Sequence, residues 1–528
     1  MKLNLENLNK INEKVDQKVS YDVNKLREDS IKDPKWIAFG SGNIFKGYIA
    51  RIGQDLVNKG LFDRGISVVE SFDEEIIDDT YKPYDNLALS VTLHKNGDFS
   101  TNLIANLAES LAVSQDKERI EEIFLNKNLE LASFTITEKG YNLYAPNGEL
   151  MDVVKEDLKN NIEDAKHLMS FVTYLLYRRF REVNQPLTLL SLDNCSKNGD
   201  KIKDSVLLIG KAWFDSGKVE KEFIDYLENK VSYPWSMIDK ITPRPANEVK
   251  EYLEDLGFVD MDIIVTKKNT YTAPYVNSEE AEYLVIEDDF VNGRPQFEKS
   301  GVYMADRETV NKVETMKVTT CLNPLHTTLA TLGCVLGYES IAAEMEDELL
   351  VKLIKKIGYD EALKVVVDPK ILSPKEFIDE VIEIRLPNKF IPDTPQRIAT
   401  DTSQKVGIRF GETIKSYRDS NELEVEDLKY IPLALAGWLR YLLGVKDDGQ
   451  EFELSPDPLM DELKKSLEGI ELGNFKETEG LKRLLASEQI FGLNLVEVGL
   501  DKKIMTYLKE MTQGTGSVRA TLEKHLGE

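Results

Sequence analysis

Three polar residues, Lys317, Asn323 and His326, interrupt an otherwise apolar, helix-like stretch of this chain, VETMKVTTCLNPLHTTLATLGCVLGY. Burying such groups without partners is costly. A single lysine at a helix edge ordinarily snorkels to solvent, and a single core histidine is ordinarily a satisfied packing residue. Three polar groups in one buried segment point to a site, and the chemistry they suit is proton transfer at a hydroxyl. A lysine kept neutral by burial or by neighbouring cations acts as a general base at physiological pH, and an amide donor such as Asn323 stabilises a developing alkoxide. In PDTPQRIATDTSQKVGIRF, Arg397 and Lys405 are eight residues apart, which on a continuous helix puts them on one face, two turns from each other. By themselves they read as solvent-facing charges. In LTLLSLDNCSKNG, Asp193 and Asn194 follow an apolar strand-like run, at the edge where open α/β sheets bind ligands and where turn residues are also routine.

A glycine pair marks a second kind of site. Gly40-Ser41-Gly42 closes the run KWIAFG and opens a helical pattern, the position at which backbone approaches a pyrophosphate and helix N–H groups face an anion. Phe45 stands where a third glycine is usual, so the string fits both a dinucleotide loop and a plain strand–helix turn. Glu70 ends the next β-rich run, ISVVE. A carboxylate there accepts hydrogen bonds from both ribose hydroxyls and repels a 2′-phosphate, which favours NAD over NADP; a solvated strand-end acid is the plainer alternative. Its separation from Gly42, 28 residues, exceeds the usual spacing of about 20. No metal is expected: His94, His167, His326 and His525 form no HExxH and no Cys/His cluster. Neither GxxxxGK[ST] nor GxSxG occurs. Hydride transfer requires none of these, because a cofactor carries it.

The elements that must position these groups fall into two halves. Residues 1–32 alternate polar with aliphatic side chains, as short amphipathic helices or a loosely attached arm would. A strand, glycine turn, helix (44–58) and strand follow, with further β-rich runs at 87–94, 133–137, 187–192 and 283–287, so residues 33–305 predict an α/β domain of Rossmann type. Asn96-Gly97 between two such runs predicts a hairpin. Helical spacing then dominates at 309–338, 339–357, 374–384, 396–416 and 430–443, and residues 306–528 predict a mainly α-helical domain. The connector VNGRPQFEKSG marks the boundary.

Of 528 residues 41% are hydrophobic, enough for large cores, and the formal charge is −26. That balance disfavours nucleic acid and anionic membrane surfaces as partners and leaves a small molecule as the expected one, bound by a monomer or small homo-oligomer. Three scattered cysteines, Cys195, Cys321 and Cys334, make no disulfide framework. The N-terminus has no apolar signal core, and the most apolar stretch, 430–439, is shorter than the roughly 20 residues that span a bilayer. A cytoplasmic protein is expected.

In their order, FGSGNIF, FTITEKGY (134–141), LLSLDNCSKNG (189–199), YPWSMIDKITP (233–243), VIEDDFVNGRP (285–295), VETMK, CLNPLHTTLA and RIATDTSQK resemble the polyol-specific long-chain dehydrogenase/reductase family, also called the mannitol dehydrogenase family. The match runs from about Trp36 to beyond Leu443. The resemblance implies a metal-independent NAD(P) oxidoreductase with a Rossmann-type N-terminal domain, a largely helical C-terminal domain and an active site between them. It implies that Lys317 is the general base, that Asn194 and Asn323 bind the oxyanion, and that Glu314 helps pass the proton to solvent. Substrate-binding positions fall on His326, Arg397 and Lys405. Gly40, Gly42, Asn43 and Glu70 fall at the dinucleotide, and Asp239, the acid of the SM-[VI]-D signature, is assigned with them.

Members act on neutral polyols or on hexuronates. Lys317, His326, Arg397 and Lys405 supply cations suited to a carboxylate. The expected pair is D-mannonate and D-fructuronate, with NAD; altronate/tagaturonate, or neutral polyols such as mannitol and arabinitol, are the alternatives, and an inactive nucleotide-binding protein is the alternative outside catalysis. One departure carries a structural expectation. The family separates its lysine and asparagine by four residues, whereas five lie between Lys317 and Asn323. At about 100° per residue the extra one rotates Asn323 away from Lys317. Either a π-bulge or a helix break before Pro324 between Val318 and Pro324 is therefore expected to restore the phase.

Overall fold

A computed structural model describes residues 1–391 and 393–527. The chain forms two compact units, Met1–Asn311 and Lys312 onward. In the first, β1 (Trp36–Phe39), β2 (Ile66–Glu70), β3 (Leu107–Ala112), β4 (Leu131–Phe134), β5 (Leu187–Ser191) and β6 (Val231–Ser232) make one sheet in the order β3-β2-β1-β4-β5-β6. All its pairings are parallel. Parallel strands buried on both faces need continuous apolar runs, and alternate residues of β1 serve opposite faces. Trp36 and Ala38 pack with Phe45, Ile49 and Phe297, while Ile37 and Phe39 pack with Phe124 and Phe134. This strand order reverses direction between β1 and β4, which opens a crevice at the C-terminal strand ends.

The predicted hairpin is present. Strands Ala88–Leu93 and Phe99–Ile104 are antiparallel, Gly97 has φ +93°, and the pair joins Tyr275–Glu279 in a separate three-stranded sheet. Residues 1–32 form short helices rather than a loose arm: Leu3, Ile11, Val23 and Leu26 are buried, and Asp22 caps helix Val23–Lys32 by accepting from the Lys25 N–H.

The second unit is helical, with only isolated β-bridges among the described residues. α1 (Asn323–Leu336), α2 (Tyr430–Tyr441), α3 (Asp501–Met511) and α4 (Ser517–Leu526) pack in succession. The Arg440 guanidinium, fully buried in α2, donates to the carbonyls of Met511, Val445 and Lys446. It thereby ties loop backbone to the helix layer. Among the described residues all three cysteines are free and no helix is long and apolar enough to cross a membrane.

Candidate active site

The loop after β1 is defined by one glycine and one carboxylate. Gly40 donates its N–H to the Val69 carbonyl (2.8 Å) at φ +100°, and a Cβ there would lie 2.1 Å from the Thr135 carbonyl oxygen, so only glycine fits. Gly42 contrasts with it: a Cβ would meet nothing within 4 Å. That open cradle, at the switch point of the sheet and at the start of a helix, fits a dinucleotide pyrophosphate. Asn43 follows, its amide 3.4 Å from the Pro243 carbonyl.

Buried Glu70 accepts five hydrogen bonds. One oxygen takes the Ser41 N–H (3.0 Å) and hydroxyl (2.6 Å); the other takes the N–H groups of Ser71 (3.0 Å), Phe72 (2.9 Å) and Asp73 (3.2 Å). A carboxylate offers about four lone-pair positions, so these donors saturate it. Glu70 therefore braces the loop from below. Tyr81 completes the brace by donating to the Ser41 carbonyl (2.6 Å). Lys46, buried beneath the loop, lies 5.0 Å from the centre of the Tyr81 ring and donates to the Ala273 carbonyl (3.0 Å). Burial pushes its ammonium down to about 7.

Two more sequence-predicted residues lie in this unit. Asn194 is exposed just past β5, and Asp239 is buried at the end of strand Ser236–Asp239. Asp193, beside Asn194, accepts from the Ile136 and Thr137 N–H groups (2.9 Å each) and from the Tyr141 hydroxyl (2.5 Å). Thr137 is held at φ +64°, a conformation that β-branched residues rarely adopt.

In the second unit both expected devices occur together. Lys317–Cys321 is a π-turn in which the Leu322 N–H donates to the Lys317 carbonyl, five residues back, at 3.2 Å. The helix then breaks at Leu322 (φ −121°, ψ −60°) and α1 restarts at Asn323-Pro324, where proline's missing N–H costs nothing. Two hydroxyls support the turn: Thr319 donates to the Thr315 carbonyl (2.7 Å), and Thr413 donates to the Thr319 carbonyl (3.3 Å). Lys317 is buried, Glu314 is partly exposed one turn earlier, and the partly exposed Asn323 side chain makes no hydrogen bond with any described residue. The extra residue is absorbed locally.

His326 anchors a cationic cluster. Burial, together with Arg409, Arg385 and Arg397, pushes its imidazole down to about 3. Asp393 lies 3.5 Å from Nε2, beyond a good hydrogen bond, and its other oxygen pairs with Arg397. The acid does not outweigh the arginines. Lys405 donates to the Thr400 carbonyl (2.6 Å), and burial and Arg409 lower its affinity for a proton. The expected continuous helix under Arg397 and Lys405 does not form. Helix Pro395–Ile398 is short, Asp401 turns left-handed (φ +54°), and Thr402–Gln404 is a single 3-10 turn, so the eight-residue spacing is not two helical turns. Sequence reasoning missed Arg385 and Arg409. Arg409 lies four residues after Lys405, but the π-turns Val381–Arg385 and Gly407–Gly411 that present the two arginines have no sequence signature. Among the described residues, no group of three or more His, Cys, Asp or Glu could hold a metal.

A Rossmann sheet with a braced glycine loop, and a helical unit presenting lysine, asparagine and histidine around a π-turn, define a dinucleotide-dependent dehydrogenase. Residues 34–299 match the Mannitol dehydrogenase Rossmann domain and residues 309–512 the Mannitol dehydrogenase C-terminal domain; the chain belongs to the mannitol dehydrogenase family. It is 53% identical to D-mannonate oxidoreductase of Thermotoga maritima over 96% of this chain and 95% of that protein, and 28% identical to D-mannonate oxidoreductase of Escherichia coli over 77% and 78%. Among solved structures, a substrate-free D-sorbitol dehydrogenase superposes with TM-score 0.82 at 25% identity, covering 99% of this chain and 100% of that one. Pseudomonas fluorescens mannitol 2-dehydrogenase, solved with NAD and D-mannitol, shares the fold (TM-score 0.72, 24% identity, full coverage of both).

Three outcomes follow from this geometry. Gly42→Ala should fold normally yet weaken NADH binding at least roughly tenfold by filling the cradle, whereas Gly40→Ala should fail to fold stably; fluorescence titration and thermal melts separate the two. Glu70→Ala removes the acceptor of five donors, so it should raise KM for both NADH and NADPH, by about tenfold or more, while narrowing the ratio between them. His326 resists protonation down to about pH 3 when folded, whereas an unfolded histidine takes a proton near 6.5. Its contribution to stability is thus fully present above about 6.5 and falls, by on the order of a few kcal/mol, as pH drops toward 3. His326→Gln should flatten that part of the curve of melting temperature against pH.

Proposed function

We propose that this enzyme interconverts D-mannonate and D-fructuronate with NAD(H). The observation that carries the reading is the cluster of Arg385, Arg397, Arg409 and Lys405 around neutral His326, in the same unit as the Lys317 turn and in a chain of charge −26. Such a concentration of cations suits a carboxylate-bearing sugar better than a neutral polyol, and the relatives named D-mannonate oxidoreductase favour the same substrate.

Gly40, Gly42, Asn43, Glu70 and Asp239 are assigned to the dinucleotide. Glu70, a carboxylate at the end of β2, disfavours a 2′-phosphate. A dinucleotide held there would supply the hydride chemistry of the alcohol–ketone interconversion. In the oxidative direction Lys317 takes the hydroxyl proton at Nζ, and in reduction it gives that proton back. Glu314, one helical turn before Lys317, passes the proton to solvent. The Asn323 amide, which has no partner among the described residues, and Asn194 donate to the oxygen as charge develops on it. His326, neutral at working pH, can donate or accept a single hydrogen bond with a substrate hydroxyl. Arg397 and Lys405 hold the sugar.

NADH oxidation measured with D-fructuronate, D-tagaturonate, fructose and xylulose, and repeated with NADPH, tests the reading. Fructuronate with NADH should give the highest kcat/KM; a neutral ketose ranking first would overturn the substrate, and a preference for NADPH would overturn the cofactor. Lys317→Ala should lower kcat by roughly 10²–10⁴ and leave NADH affinity unchanged, because the base acts on the substrate hydroxyl and not on the dinucleotide.

A further inference from the structure

Two buried arginines show how this protein satisfies a structural guanidinium. Arg179, fully buried, donates to the backbone carbonyls of Gln185, Phe124, Asn126, Leu129 and Pro186. Arg440 is likewise spread over three carbonyls. These guanidiniums are satisfied by oxygens whose positions the fold determines, as structural arginines should be.

Arg409 is not. Burial holds its guanidinium down to about 10, yet its side chain has a single protein acceptor, the neutral hydroxyl of Thr327. Among the described residues no carboxylate pairs with it. Its cationic neighbours are provided for: Arg397 pairs with Asp393, and Lys405 is bound to the Thr400 carbonyl with Asp401 and Asp457 in range. The next residue to Thr327 is His326, whose buried Nε2 has no hydrogen-bond partner among the described residues. The π-turn that carries Arg409 packs against the π-turn that carries Lys317 and against α1. Arg409 is half-buried, and its remaining N–H groups have no acceptor among the described residues; a partly desolvated cation without a counter-charge costs free energy, and an anionic group of the ligand supplies the missing charge.

We propose that Arg409 is the carboxylate-recognising residue of this enzyme, its planar fork taking both oxygens of the sugar acid. Arg409 then sets the preference for sugar acids over neutral polyols. This rests on the sugar-acid reading above. A bidentate fork is lost on replacement by lysine even though the charge remains, so two variants separate charge from geometry.

The experiment is steady-state kinetics of D-fructuronate reduction by the wild-type enzyme, Arg409→Met and Arg409→Lys, with NADH affinity and circular dichroism measured alongside. The methionine variant should raise the fructuronate KM roughly 10- to 100-fold. The lysine variant should fall between it and the wild type. In both, kcat should change far less than KM, and NADH affinity should stay at the wild-type value. Should the methionine variant not fold, the lysine variant decides alone. A fructuronate KM within twofold of wild type in a folded variant would overturn the proposal. So would a loss confined to kcat, which would make Arg409 a support of the Lys317 turn. A wild-type enzyme that reduces neutral ketoses but no uronate would instead sink the sugar-acid reading, and this proposal with it.

Discussion

The hydrogen bond from the Leu322 N–H to the Lys317 carbonyl, spanning five residues instead of four, is the constraint on which the second unit's candidate site depends. A regular helix through 317–326 would rotate Asn323 and His326 out of phase with Lys317 by the one inserted residue. The π-turn takes up that residue, the break at Leu322 resets the helix axis, and Asn323-Pro324 starts α1 afresh. A buried turn with widened backbone spacing needs its carbonyls satisfied, and the threonines around it do this. The run VTTC, which in sequence is merely apolar and β-branched, is the material from which the turn is made.

The same device recurs at several covered ionisable groups. The π-turn Lys356–Glu361 ends in Glu361, whose carboxylate accepts the N–H groups of Lys429, Tyr430 and Ile431 at the start of α2. Val381–Arg385 and Gly407–Gly411 carry Arg385 and Arg409. In the first unit, Phe45–Ile49 carries Lys46 beneath the glycine loop. Inserting one residue into a helix costs a strained turn but re-aims a side chain without moving the helix ends, so a π-turn can point a charge inward while the flanking helices keep their packing.

Three buried carboxylates are held by backbone. Glu70, Asp193 and Glu361 each face several backbone N–H groups, so burial leaves them satisfied and rigid. Near His326, Arg409 donates to the Thr327 hydroxyl and pairs with no carboxylate among the described residues. In a chain of charge −26, long-range attraction does not bring an anion to the site. Short-range hydrogen bonds from preoriented guanidiniums have to do it.

Much of this was legible in the residues themselves. Apolar runs separated by turn residues determine strands, glycine at a strand end determines where backbone can come close, and Asn-Gly between two runs determines a hairpin; each is a local steric or solvation fact, so the Rossmann sheet, the helical second half and the Gly40–Gly42 loop could be anticipated. The extra residue before Asn323 was likewise visible as a phase error, and its remedy followed from helix geometry. Other features depended on which segments meet. Nothing near Glu70 in the sequence announces that Ser41 will fill its second oxygen, and nothing near Lys405 announces that Asp401 will turn left-handed and end the helix. Arg385, Arg409 and His326 are far apart in the chain, and their mutual effect on the imidazole exists only because α1 and two π-turns are packed together. Local conformation is set by a few neighbouring residues, whereas charge–charge coupling falls off with distance in space, and only the folded chain sets those distances.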